Sequence, residues 1–128
     1  MESSNLEFYR NSIDYILSVQ NKDGSIPWEL DEKLDPWDHI EAAMGLSIAG
    51  KKDEAEKAFL WLSDSQLQDG SWYAEYLNSI PMTQRKETNF SAYIGTGLWH
   101  YYLIFKDKDF IENMLPTLSK ALDFVLSM

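Results

Sequence analysis

Apolar residues recur at helical spacing in five stretches of this chain. Leu6, Phe8, Tyr9, Ile13, Ile16 and Leu17, followed by Gln20, describe one face of a helix over about residues 4–20. Ser4 is its expected N-cap and Glu7 the capping-box partner. Asn21, Lys22, Asp23 and Gly24 end it. Asp35-Pro36 then reads as a strong helix start, because aspartate accepts free first-turn amides and proline has none to leave unpaired. The helix it opens runs over about 36–49 and is rich in small residues: Ala42, Ala43, Gly45, Ser47 and Ala49. Gly50 stops it.

A third helix is expected over about 53–66, with Glu54, Glu56 and Lys57 toward water and Ala55, Ala58, Phe59 and Leu62 inward. The segment from 67 to about 87 reads as loop, and the nearest strand signal, Ser71-Trp72-Tyr73, is too short to stand alone. The fourth helix, about 89–105, has almost no charge before Lys106, which predicts burial nearly all round. Gly95 and Gly97 within it imply a close approach by a neighbour. The last helix, about 109–127, contains Pro116, so a kink or break is expected near Leu115. Outer, inner, outer, inner, outer is the order these patterns predict. That is an all-α fold of α/α toroid-type helical hairpin repeats, about two and a half hairpins in a single domain over 1–128.

The repeat is visible residue by residue. Placing Gln66 on Gln20 puts Asp69 on Asp23, Gly70 on Gly24 and Ser71 on Ser25, while Trp61 and Leu62 fall on Tyr15 and Ile16. Lys120, Ala121, Phe124 and Val125 match Lys57, Ala58, Trp61 and Leu62 as a third half-copy. Self-similarity on this scale means stacked units, none able to bury its apolar face alone.

Lys57, Ala58, Trp61, Leu62, Gln66, Gly70 and Trp72 together resemble the QW repeat of terpenoid cyclases and protein prenyltransferases, squalene-hopene cyclases included. The first copy departs from it at Asn11 and Ser12, and Trp28 is displaced by Ile26-Pro27. The resemblance implies a ring of helical hairpins in which Gln20, Gly24, Gln66, Gly70 and Trp72 hold structure and touch no substrate. It further implies a fragment at the N-terminal end of such a ring, or a homo-oligomer that completes one. A transferase or cyclase acting on an isoprenoid-like ligand is the activity it suggests. The chain lacks an Asp-x-Asp-Asp protonating cluster, an Asp-Asp-x-x-Asp diphosphate site and any cysteine to bind zinc. Six-hairpin toroids also include glycosidases and uronate lyases, so a carbohydrate-processing ring is the alternative. A non-catalytic protein-interaction repeat is the third.

The chain has 128 residues, 45% of them hydrophobic, and a formal net charge of −10. An acidic surface disfavours nucleic acid and anionic membranes as partners. No apolar run approaches the roughly 20 residues of a membrane span. The N-terminus has no signal-peptide pattern, and a cytoplasmic protein is expected.

Candidate chemistry sits at the N-terminal ends of the two inner helices, which in a ring converge on one mouth and point free amides into it. Asp38 and Asp35 are the candidate general acids, since burial and pairing raise a carboxyl pKa. Trp37, His39 and Glu41 on the second helix, Asn89 and Tyr93 on the fourth, and Tyr73, Tyr76 and Arg85 on the intervening loop are candidate ligand-binding residues. Their aromatic rings suit an isoprenoid chain, a carbocation or a sugar face. Each has an ordinary reading beside it: Asp35 as a cap, Asp38 as a favourable first-turn charge, the aromatic residues as core. With two histidines far apart in sequence, no metal site or cofactor is expected.

Overall fold

The computed structural model describes residues 2–128, with side chains from Tyr9 onward. In chain order they form α1 (Glu2–Val19), α2 (Pro36–Ile48), α3 (Lys52–Ser65), β1 (Tyr76–Leu77), β2 (Ile80–Pro81), α4 (Thr88–Phe105) and α5 (Lys108–Leu126). The fold is all-α helical repeat with one short ribbon. α1 begins ahead of Ser4, whose side chain, like that of Glu7, lies outside the described residues.

The inner helices α2 and α4 pack on each other, α3 packs on α2, α5 on α4, and α3 touches α5. This is an arc of a ring, inner helix beside inner and outer beside outer. Ile40, Ala43 and Leu46 of α2, Phe59 and Leu62 of α3, Ile94 and Leu98 of α4 and Met114 of α5 meet in the core. α2 and α4 come so close that a Cβ on Gly97 would stand 2.7 Å from Ile40 Cγ2 and 3.1 Å from Phe59. The close approach expected at Gly97 is real. At Gly95 the nearest side chain is Leu118, at an ordinary 3.5 Å.

The two turns after α1 and α3 are built from the same hydrogen bonds. Asp23 accepts from the Ser25 amide (3.0 Å) and hydroxyl (2.6 Å), and Asp69 from those of Ser71 (3.0 and 2.5 Å). Gln20 Nε2 donates to Gly24 O (3.2 Å) and across to Glu54 O of α3 (2.9 Å). Gln66 Nε2 donates to Gly70 O (3.1 Å) and across to Thr117 O of α5 (2.9 Å). Gly24 and Gly70 have positive φ and lie directly on the next outer helix, where a Cβ would meet Lys57 O at 2.1 Å and Lys120 O at 2.0 Å. The basic-small pair of each repeat is therefore the backbone step that receives the preceding turn. Trp72 closes the second copy by donating its indole N–H to Leu62 O at 2.9 Å.

Three expectations need correction. α4 is not buried all round: Trp99 (61% exposed), Leu103 and Ile104 face outward, as do Leu115, Leu122 and Leu126 of α5. Low charge signalled an apolar surface, and part of it is left uncovered among the described residues. α5 runs unbroken through Pro116, which is exposed together with Glu112 one turn earlier, so the carbonyl that proline deprives of a donor has access to water. The 67–87 segment is not all loop, because β1 and β2 pair as a hairpin with Tyr76 opposite Pro81 and Leu77 opposite Ile80. Asn78 and Ser79 turn it with positive φ at both positions, the geometry that suits the twist of a two-residue hairpin.

This hairpin fixes the mouth. Leu34 and Tyr76 exchange backbone hydrogen bonds (2.8 and 2.9 Å), and Ser79 Oγ donates to Asp23 (2.5 Å) while accepting from Trp61 Nε1 (3.0 Å). The residue that follows Leu34 is Asp35.

Candidate functional site

Asp35 caps α2 from extended backbone, φ −117° and ψ 149°. One carboxyl oxygen accepts the Asp38 amide at 2.8 Å and the other accepts the Trp28 indole N–H at 2.7 Å. Asp35 is 9% exposed. Asp38, one turn along, is exposed, and its carboxyl lies close enough to that of Asp35 to be raised by it. Partial burial, then the charges of Asp35 and Glu41, push the Asp38 carboxyl up to about 6. Of these two neighbouring carboxyls, Asp35 has a donor on each oxygen, and Asp38 is the one pushed up.

Beside Asp38 lies a recess of about 260 Å³, lined by Tyr15, Ile16, Val19, Ile26, Pro27, Trp28 and Ala42. Its walls are apolar apart from the Tyr15 hydroxyl, which donates to Trp28 O at 3.0 Å, and Asp38 itself. Trp28 is 47% exposed, and Lys33 Nζ stands 4.5 Å from its ring centroid.

On the neighbouring face, Trp37 of α2 stacks on Tyr93 of α4, centroids 3.8 Å apart and planes 6° apart, with Phe90 at 6.5 Å. The Tyr93 hydroxyl is pushed up by partial burial and by Glu41. Asn89 is exposed in the first turn of the same helix.

The other expected ligand-binding residues are placed differently. His39 is completely buried: Nδ1 accepts the Ile26 amide (3.1 Å) and Nε2 faces Ala58 O (2.7 Å), which makes it a neutral clamp between loop, α2 and α3. Burial pushes it down to about 4. Tyr76 is also core, edge-on to Trp61 at 5.2 Å, with its hydroxyl accepting the Tyr73 amide at 3.0 Å. Tyr73 lines a separate recess of about 420 Å³ with Pro81, Met82, Thr83 and Gln84. Arg85 is exposed and ion-paired with Glu87. Thus Asp35, Asp38, Trp37, Glu41 and Tyr93 share the inner-helix ends, while His39 and Tyr76 are in the core and Tyr73 and Arg85 stay on the rim. Sequence reasoning took Tyr15 only as a repeat position and Trp28 as the displaced tryptophan of the first repeat. Its short spacing from Asp35 was the available signal.

Among the described residues no group of three His, Cys, Asp or Glu side chains gathers in metal-holding geometry, and no helix is long and apolar enough to cross a membrane.

No family model matches the sequence. Over 119 residues the chain is 40% identical to an MMP endo-(1,4)-3-O-methyl-alpha-D-mannosidase of Mycolicibacterium hassiacum. That relative is a mannosidase by name. The match takes in 93% of this chain and 33% of the relative, so the chain spans about a third of the length of the curated protein it resembles. It lends no support to the terpenoid-cyclase and prenyltransferase label suggested by the QW-like repeat. It favours the carbohydrate alternative, on an arc of helical hairpins that both readings share.

Proposed function

We propose that this chain forms the acid-bearing part of a carbohydrate-processing α/α ring of endo-mannosidase type. In this reading Asp38 protonates the glycosidic oxygen of the bond being cut, and Asp35 stands beside it with a donor on each oxygen. The observation that carries it is the Asp35–Asp38 pair, one carboxyl saturated with donors and the other pushed up to about 6. A carboxylic acid that keeps its proton near pH 6 is what leaving-group protonation requires.

The second carboxyl of a glycosidase stands about 5–9.5 Å from the first, across the sugar. Asp35, which accepts the Asp38 amide and crowds its carboxyl, is too near for that role. A further segment or chain would supply it, and hydrolysis by these residues alone is not expected. The apolar recess beside Asp38 suits a sugar carrying an O-methyl group, in keeping with the relative's name.

Binding can be tested directly. A (1,4)-linked 3-O-methyl-α-mannose oligosaccharide titrated into labelled protein is expected to move the NMR signals of Trp28, Asp35, Asp38 and Trp37, and geranylgeranyl diphosphate is not. The opposite pattern would restore the isoprenoid reading and sink this one.

We also infer that the outward apolar edge of α4 and α5 is where further hairpins stand, from more chain or from other copies of this one. The way α4 and α5 cover the equivalent edge of α2 and α3 supports it.

A further inference from the structure

We propose that Trp28 is a positioning residue for the carboxyl pair, its indole N–H confining the pair's proton to Asp38 by occupying one oxygen of Asp35. The inference rests on the reading of Asp38 as proton donor, and it concerns what makes that role possible.

Asp35 accepts an N–H on each oxygen, at 2.7 and 2.8 Å. Placing the proton there would forfeit a well-formed charge-assisted hydrogen bond, whereas Asp38 feels the same indole N–H only as the weakest of the influences on it. One of the two donors is the Asp38 backbone amide, present whatever the side chains are. The other is Trp28, the part of the arrangement that sequence can change.

The backbone that carries the indole is held on several sides. The Trp28 amide donates to Lys33 O (2.9 Å), its carbonyl accepts from Tyr15 Oη (3.0 Å), and Ile26, two residues earlier, is tied to His39 (3.1 Å). A ring half exposed beside the recess thus hangs from anchored backbone, with its N–H on Asp35 and Lys33 over its face. The groups facing the pair are few. Glu41 lies one turn along α2, and Tyr93 of α4 feels the same charge. Tyr15 of α1 is engaged on Trp28, buried His39 is neutral, and Lys33 lies over the Trp28 ring while pairing with Glu75 at 3.4 Å. None of their side chains is hydrogen-bonded to the Asp35 carboxyl; the His39 amide donates to the Asp35 backbone carbonyl instead.

The test needs no sugar. Aspartate carboxyl carbons are followed by NMR from pH 4 to 8 in the unliganded protein, assigned with Asp35→Asn and Asp38→Asn. In the parent the transition near pH 6 belongs to Asp38 alone. In Trp28→Phe, which keeps the ring and removes the N–H, the preference for Asp38 falls about tenfold and Asp35 takes a visible share of the transition. Lys33→Ala removes the cation and leaves the N–H, and the transition stays on Asp38. A Trp28→Phe protein with the transition still on Asp38, or a Lys33→Ala protein that divides it, overturns the proposal. Should Trp28→Phe fail to fold, hydrogen exchange in the parent decides: the Trp28 indole N–H is protected relative to that of Trp99, and equal exchange would overturn the proposal. Failure to bind mannoside leaves this titration intact, so the two ideas fall separately.

Discussion

His39 joins three segments through two ring nitrogens, and it can do so only while neutral. Its folded value of about 4 lies below the ordinary 6.5, so between those limits the unfolded chain binds more protons than the folded one. The stability this histidine contributes is complete above about pH 6.5 and is lost as pH falls through 4, on the order of 3 kcal/mol in all. Urea unfolding at pH 7, 5.5 and 4 should show that loss in the parent. His39→Gln, whose amide also offers an acceptor and a donor, should lack most of it. Asp38 carries a second prediction, conditional on completion of the ring: activity falls as pH rises through about 6, and Asp38→Asn lowers kcat about a hundredfold or more with KM little changed. The Asp35 cap and the place of Asp38 in the first turn were legible because both are local matters. His39 was misread because which side of a short helix faces the core depends on what packs against it.

The element of this fold is the hairpin with its turn, and the turn is specified twice over in nearly the same residues. Gly70 has φ +93°, and an added Cβ would enter the backbone of α5. Gly70→Ala should cost about 3 kcal/mol, from left-handed strain and displacement of the helix it rests on, and Gly24→Ala a similar amount. Gln66→Ala removes one tie within the turn and one to α5, an expected loss of about 1–3 kcal/mol in denaturant melts. Since Gln66 and Gly70 both act through α5, the double variant should lose less than the sum of the two. The β hairpin escaped notice because its pattern is two apolar pairs around Asn78-Ser79, too short to give a period. Pro116 misled for a different reason: proline breaks a helix where its freed carbonyl is buried, and here that carbonyl is on the wet side.

On the scale of the molecule, the arc ends in an apolar edge. Trp99 and Leu103 of α4 and Leu115, Leu122 and Leu126 of α5 are apolar side chains left exposed to water, and the net charge of −10 works against self-association. Light scattering at increasing salt should therefore show association growing as that repulsion is screened, and Trp99→Glu should return the protein to monomer. A parent that stays monomeric from low to high salt would remove the case for self-assembly at this edge.

Helix order, the inner and outer assignment, the twin turns and the capping aspartate were determined by sequence alone, because each rests on spacing within about one turn of helix or on a glycine that backbone geometry demands. Tertiary structure decided which oxygens of Asp35 are occupied, that Trp28 reaches one of them, that His39 is core, and which face of α4 is left bare. Those outcomes depend on how a loop crosses a helix end and on which neighbours arrive, and residue order along a single element does not encode either.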